Sequence, residues 1–297
     1  MFTFSFPKEN PSRLIREKTD VVPRIIDFFQ HFCVSPRYLH MILLLDVGNT
    51  DATCGLATQD GLRDIFRIPS LREVTPGYYE NQLRTHLLEK SISLESIDQV
   101  VLSSVVPSIT PFFRQAIHTL FLCEPVLVDA DIFPALAIQI DDPSEIGSDL
   151  IANAVAAYQK YRRNCMVIDF GTALTFTVVS GEGKIKGVSI VPGLRTAVKA
   201  LFANTAQLPE VPLELPSSVI GTNTIHSIQA GILWGYEGLV RSMIRKIRRE
   251  MGGDCIALAT GGLSSIISTL HGEFVEVNVN LTLEGLLEIG KAHRHTA

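Results

Sequence analysis

Short apolar runs broken by polar turns dominate the chain, and two of them share one plan. Ile42–Leu45 is a branched-chain run with the length of a buried strand. Asp46-Val47-Gly48-Asn49-Thr50 then supplies turn chemistry, and Thr53 to Ala57 returns to strand. The pattern predicts a β-hairpin whose turn exposes an Asp, a Gly and two small polar side chains. The second stretch repeats it: Val167-Ile168, then Asp169-Phe170-Gly171-Thr172-Ala173, then Thr175 to Val179. Gly181–Lys184, "GEGK", makes the next turn, and Ile185 to Val191 continues that sheet until Pro192-Gly193 stops it.

Between the hairpins the periodicity changes. Pro143 and Gly147 break the chain, Ser148 is the expected N-cap, and Asp149 falls in the first helical turn. Apolar positions at Leu150/Ile151, Ala154/Val155 and Tyr158 then keep helical spacing. An Asp at such a place is favoured by the helix dipole, or it points into a cleft as a general base. The pattern leaves both readings open. Further on, "CIALATGGLSSII" (Cys255–Ile267) predicts a strand, then Thr260-Gly261-Gly262, then a helix. The paired glycines offer bare backbone to a flat group such as adenosine, or make a simple strand-to-helix turn. Arg241, Arg245, Arg248 and Arg249 lie along one predicted helix, a solvated or dimer-facing surface.

Length and composition narrow the class. A chain of 297 residues suits two domains at roughly 100–200 residues each. A formal charge of −5 gives no global basic field, so nucleic acid is not an expected partner. The five cysteines (Cys33, Cys54, Cys123, Cys165, Cys255) are scattered without a CxxC pair, which fits a reducing cytosol and no zinc site. No apolar run approaches the ~18 residues of a membrane span, so no membrane partner is expected. Residues 1–40 lack sustained periodicity apart from a short helix expected at Ile25–Phe32, and Met41 opens directly onto a strand. The segment is expected to be a loose or artefactual extension, with Met41 as the natural start.

Two Asp-x-Gly turns in equivalent strand contexts point to a duplicated fold with hairpins facing across a cleft. Glycine lets backbone N–H groups approach phosphate oxygens, and Thr or Asn side chains add donors. Carboxylates among such donors would repel phosphate unless a cation intervenes, so Asp46 and Asp169 imply bound metal. No GxxxxGK[ST] motif occurs.

Taken together, eight stretches in order resemble type III pantothenate kinase: "DVGNT", "SSVVP" (Ser103–Pro107), "IGSDLIANAVAAY", "DFGTALTF", "SIVPGL" (Ser189–Leu194), "IGTNT" (Ile220–Thr224), "ATGGL" (Ala259–Leu263) and "LTLEGL" (Leu281–Leu286). The first 40 residues lie outside the match. The resemblance implies an α/β protein of two ribonuclease H-like domains, the actin-like ATPase fold, with the nucleotide cleft between them. The domains would span 41–157 and 158–297. It further implies a cytoplasmic homodimer that uses ATP with Mg²⁺ and a monovalent cation, K⁺ or NH₄⁺, to phosphorylate pantothenate to 4′-phosphopantothenate, opening coenzyme A synthesis.

Carried over by position, Asp46, Val47, Gly48, Asn49, Thr50, Asp51, Ala52 and Thr53 form the first phosphate loop, with Asp46 near magnesium. Thr172 is a further ATP contact and Asp169 the monovalent-cation ligand. Asp149 is the proton acceptor. Gly147, Ser148, Asp149 and Leu150 touch pantothenate, and Thr224 is a second pantothenate contact. The chain departs from the family at three places: Leu150 replaces the usual Arg, Thr177 a second Asp, and Gly187-Val188 a Gly-Gly pair. These departures bear on substrate anchoring more than on phosphate binding. Competing readings are a related phosphotransferase or phosphohydrolase, and a nucleotide-binding regulatory or accessory protein of the same fold.

Overall fold

The computed structural model describes residues 40–75, 77–205 and 208–296. The expected N-terminal extension and its helix at Ile25–Phe32 therefore lie outside the described residues, except for His40.

Two five-stranded sheets of one topology form the frame. In the first, β1 (Met41–Val47), β2 (Asp51–Thr58) and β3 (Gly61–Pro69) run as an antiparallel meander. β4 (Ile97–Ser104) and β5 (Val126–Leu127) add in parallel on the other side of β1, giving the order β3-β2-β1-β4-β5. In the second, β6 (Cys165–Phe170), β7 (Ala173–Val179) and β8 (Ile185–Pro192) repeat the meander. β9 (Ile256–Thr260) and β10 (Glu276–Val277) add in parallel beside β6. Read from its meander edge, the second sheet has the order of the first.

Strand alternation assigns each face of a sheet to a different partner. Leu43 and Leu45 face an outer core with α1 (Tyr78–Glu89) and α2 (Thr110–Phe121), through Tyr79, Leu83, Phe113 and Ile117. Ile42 and Leu44 face inward, as do Val167 and Leu258 of the second sheet. Between these inner faces lie α3 (Ser148–Tyr161) and α6 (Leu281–Thr296), whose Ile151, Val155, Leu283 and Leu286 join the same core. The outer face of the second sheet, through Met166, Ile168 and Phe176, is covered by α5 (Thr224–Glu250), while α4 (Leu194–Ala203) adds Leu194 to that core. With helices on both faces, the central strands are apolar throughout rather than alternating. Among the described residues, no helix is long and apolar enough to cross a membrane.

Helix α3 belongs to the core shared by both sheets, and the expected division between residues 157 and 158 crosses it. Its alanines let α6 come unusually near. A Cβ added to Gly285 would lie 1.9 Å from the carbonyl oxygen of Ala152, so only glycine fits.

Three local expectations need correction. Ser148 does not cap α3: Gly147, in extended conformation, takes the N-cap place, and the Ser148 hydroxyl bonds to Ser103 instead. No α-helix follows Gly261-Gly262. The chain makes successive turns and a 3₁₀ segment at Ser268–Glu273, because Gly261 enters a left-handed turn at φ +88°. Nor are all the α5 arginines a free face. Arg241 pairs with Glu237 and Glu273, and Arg248 donates to the Cys255 carbonyl. Arg245 and Arg249 remain exposed.

Candidate active site

The two aspartate turns meet. Asp46 lies not in the turn but next to last in β1, on its inner face, and the turn Gly48–Thr50 is closed by the Gly48 N–H donating to the Asp51 carbonyl at 3.1 Å. Asp169 occupies the matching place on β6, with the Gly171 N–H donating to the Ala173 carbonyl at 3.1 Å. At the tips, the hydroxyls of Thr50 and Thr172 lie 3.3 Å apart. The second tip is buttressed from α4, whose Gly193 N–H and Thr196 hydroxyl donate to the Thr172 carbonyl at 3.0 and 2.7 Å. A Cβ on Gly193 would approach the Gly171 carbonyl to 2.3 Å, which accounts for the glycine of "SIVPGL".

Asp149 enters from α3. Its Oδ1 accepts the Leu150 backbone N–H at 2.9 Å, and Gly147 leaves room for that carboxylate, since a Cβ there would lie 2.5 Å from Oδ1. Burial raises the Asp149 pKa, offset in part by backbone N–H donors. Asp46 is pushed up to about 7, mainly by burial and then by the charge of Asp149. Asp169 is pushed up to about 6 by the same two causes in the same order. The three aspartates therefore share one desolvated region, and each of the outer two feels Asp149.

Neutral donors hold these carboxylates. The Ser103 hydroxyl donates to Asp46 Oδ1 at 3.0 Å and pairs with the Ser148 hydroxyl at 2.9 Å. Asn153 Nδ2 donates to Asp169 Oδ2 at 3.1 Å, while its Oδ1 accepts from Thr282 at 2.9 Å. On the neighbouring strands, Thr175 and Thr260 stand directly opposite Asp169. Both hydroxyls are buried without a hydrogen-bond partner. Such orphaned oxygens beside a carboxylate have the donor chemistry a hard cation takes. Among the described residues, no three His, Cys, Asp or Glu side chains come close enough to hold a metal alone. Asp46 suits the magnesium habit of binding one or two carboxylates and completing its shell from a substrate phosphate.

Of the remaining expected residues, Val47 and Ala52 are buried backbone members of the hairpin, and Asn49 accepts from Arg72 at 3.2 Å. Thr53 pairs with Asp46 across β1 and β2. Leu150 is buried, 6% exposed. Thr224 opens α5 elsewhere, lining a cavity of about 440 Å³ with Leu201, Leu208, Ser227, Ile228 and Ile232, and none of the three aspartates lines it. Gly261 serves Asp169 rather than offering an open platform: a Cβ there would come within 2.5 Å of Asp169 Oδ1. Of this pair, Gly262 faces open space. Sequence reasoning gave no role to Ser103, Asn153 or Thr282. The signals present were a polar break ending the apolar run of β4, and an amide one helical turn beyond Asp149.

Solved structures share this architecture. MreB 5 of Spiroplasma citri, bound to AMPPNP, is 10% identical with a TM-score of 0.50, over 86% of this chain and 98% of that one. A Campylobacter jejuni protein designated a Baf family transcriptional activator is 16% identical with a TM-score of 0.52, over 85% and 99%. The fold is thus of the two-sheet actin-like class. Within that class the sequence is more specific. The type III pantothenate kinase profile matches residues 42–246, and the chain belongs to that family. It is 40% identical to the type III pantothenate kinase of Treponema pallidum (strain Nichols) over 256 residues, which are 84% of this chain and 93% of that protein. The Thermomicrobium roseum enzyme is 38% identical over 246 residues, 83% and 95% of the two chains.

Proposed function

We propose that this chain transfers the γ-phosphoryl group of ATP to the primary alcohol of pantothenate, yielding ADP and 4′-phosphopantothenate for coenzyme A synthesis. One observation carries the reading beyond family membership: the helix that bears Asp149 is hydrogen-bonded to Asp46 through Ser148 and Ser103 and to Asp169 through Asn153, and the two hairpins touch at Thr50 and Thr172.

In this reading the turn Asp46–Thr53 and Thr172 cradle the polyphosphate through backbone N–H groups and hydroxyls. Asp149 orients the attacking hydroxyl and accepts its proton as the new O–P bond forms and the bond to the β-phosphate oxygen breaks. Its raised pKa suits that late acceptance, since a carboxylate nearer neutrality is a better base. Asp46 would hold magnesium, and Asp169 with Thr175 and Thr260 would hold a monovalent cation. Such cations supply charge neutralisation for the phosphates. Gly147, Ser148, Asp149 and Leu150 form the acceptor side.

The enzyme acts as a homodimer in this reading. Phe202 and Ile225 are large apolar side chains about half exposed, and Ile220 is more so. They mark α4, α5 and the loop between them, the region around the Thr224 cavity. Exposed apolar surface of this kind marks an association face. Thr224 would then meet pantothenate from a partner copy.

ADP release, followed with and without pantothenate in potassium and in sodium, tests the reading. Pantothenate-dependent release that falls by about 10²-fold or more in Asp149→Asn, with ATP binding retained, is expected. Pantothenate-independent release, or near-normal turnover in that variant, contradicts it.

A further inference from the structure

Helix α3 is tied to both aspartates by neutral polar side chains. On one side the path runs from Ser148 to Ser103 at 2.9 Å and on to Asp46 at 3.0 Å. On the other it runs from Asn153 to Asp169 at 3.1 Å, with Thr282 of α6 holding the far end of the amide at 2.9 Å. Ser103 and Asn153 are wholly buried, and Ser148 nearly so. Alanine at 103 or 153 would leave a buried carboxylate short of a donor, but that alone gives no reason for both donors to be joined to α3.

Position along the helix supplies it. Asp149 follows Ser148 directly and precedes Asn153 by four residues, so Asp149 and Asn153 lie on one face of α3. The close seat of Gly285 against Ala152 ties α6 to the same turn. We propose that Ser103 and Asn153 are positioning residues. Together they register the first turn of α3, and with it the Asp149 carboxylate, against Asp46 of one sheet and Asp169 of the other. Acceptor and polyphosphate are thereby aligned through a single helix, although they bind different elements. The inference rests on Asp149 being the base.

Ser103→Ala and Asn153→Ala are made in the full chain, each alone and in an Asp149→Asn background, with steady-state and single-turnover ADP release as the readouts. Each single change lowers kcat for pantothenate by about tenfold, since misplacement of 1 Å can cost more than that. KM for ATP stays within about twofold, and Ser103→Thr, which keeps the hydroxyl, restores the rate. In the Asp149→Asn background neither change lowers the rate further, because the group they position is gone. An unchanged kcat in a folded variant, or an equal loss in both backgrounds, overturns the proposal. Should Asn153→Ala fail to fold, Thr282→Val releases the amide's anchor and is held to the same comparison. Normal turnover of Asp149→Asn alone brings down the base assignment instead.

Discussion

The hydroxyls of Thr50 and Thr172 meet at 3.3 Å across 122 residues of chain. Each sits at the tip of a hairpin that starts with an aspartate and turns on a glycine. Their contact joins the tips of the two turns. In the proposed polyphosphate site, both hydroxyls would exchange a neutral partner for charged oxygens, which are stronger acceptors.

Removing either hydroxyl therefore weakens ATP more than pantothenate. Thr50→Val or Thr172→Val is expected to raise KM for ATP by roughly ten- to a hundredfold, the equivalent of ~1.5–3 kcal/mol for a hydrogen bond to a charged group. KM for pantothenate should move little. Steady-state kinetics with each substrate varied in turn checks this, and equal rises for both substrates would contradict it.

Stability should respond to pH through the aspartates. Asp46 and Asp169 have pKa values near 7 and 6, against an ordinary 3.8. Between about pH 4 and 7 the folded chain keeps protons that the unfolded chain has released, so stability falls as pH rises through that window. Below it both states are protonated; above it the penalty is complete. Asp46→Asn should flatten the fall and melt higher than the parent at pH 8 in metal-free buffer. A relief of ~1–2 kcal/mol corresponds to a Tm gain of about 2–8 °C for a chain this large. Calorimetry from pH 5 to 8 tests it. An unchanged slope would mean that Asp46 titrates normally.

Much of this frame was legible in the chain because turn chemistry is local. Asp-x-Gly between two apolar runs punctuates a hairpin wherever it lands, and both hairpins form, although Asp46 and Asp169 sit in the strands that enter the turns and not in the turns themselves. The misreadings share a physical cause, which is distance. Ser148 has an N-cap's composition, yet its hydroxyl is claimed by Ser103, 45 residues earlier. Arg241 has the spacing of a solvated stripe, yet Glu273, 32 residues later, draws it inward. Gly261 reads as a ligand platform until Asp169 is found against it. Local pattern carries local structure, while the partners of buried polar groups come from elements that only the fold brings together.

Potassium should act through the second turn. Asp169 faces two orphaned threonine hydroxyls, an oxygen-only donor set suited to a weakly held monovalent cation. Activity should rise with potassium at constant ionic strength, and Asp169→Ala should abolish that response. Gly261→Ala, which drives a methyl against Asp169 Oδ1 at a backbone angle of φ +88°, should blunt it too. A parent enzyme with equal activity in potassium and in a large inert cation would exclude this role.

Leu150 offers the sharpest test of the acceptor side. Pantothenate carries a carboxylate, and an anion in a partly dry pocket needs a cation or several N–H donors. The Leu150 side chain offers neither, and its own backbone N–H is engaged by Asp149 at 2.9 Å. The leucine is buried, so an arginine there must thread its stem through the space leucine fills and release its head into the cleft. Leu150→Arg is expected to lower KM for pantothenate by about tenfold or more, the scale of one charge-assisted contact, and to leave KM for ATP unchanged. Overpacking should cost some stability, of the order of 1–3 kcal/mol, visible as a lower Tm. A folded Leu150→Arg enzyme whose pantothenate KM is unchanged or higher would show that the pocket is built around leucine, with the carboxylate held by other donors.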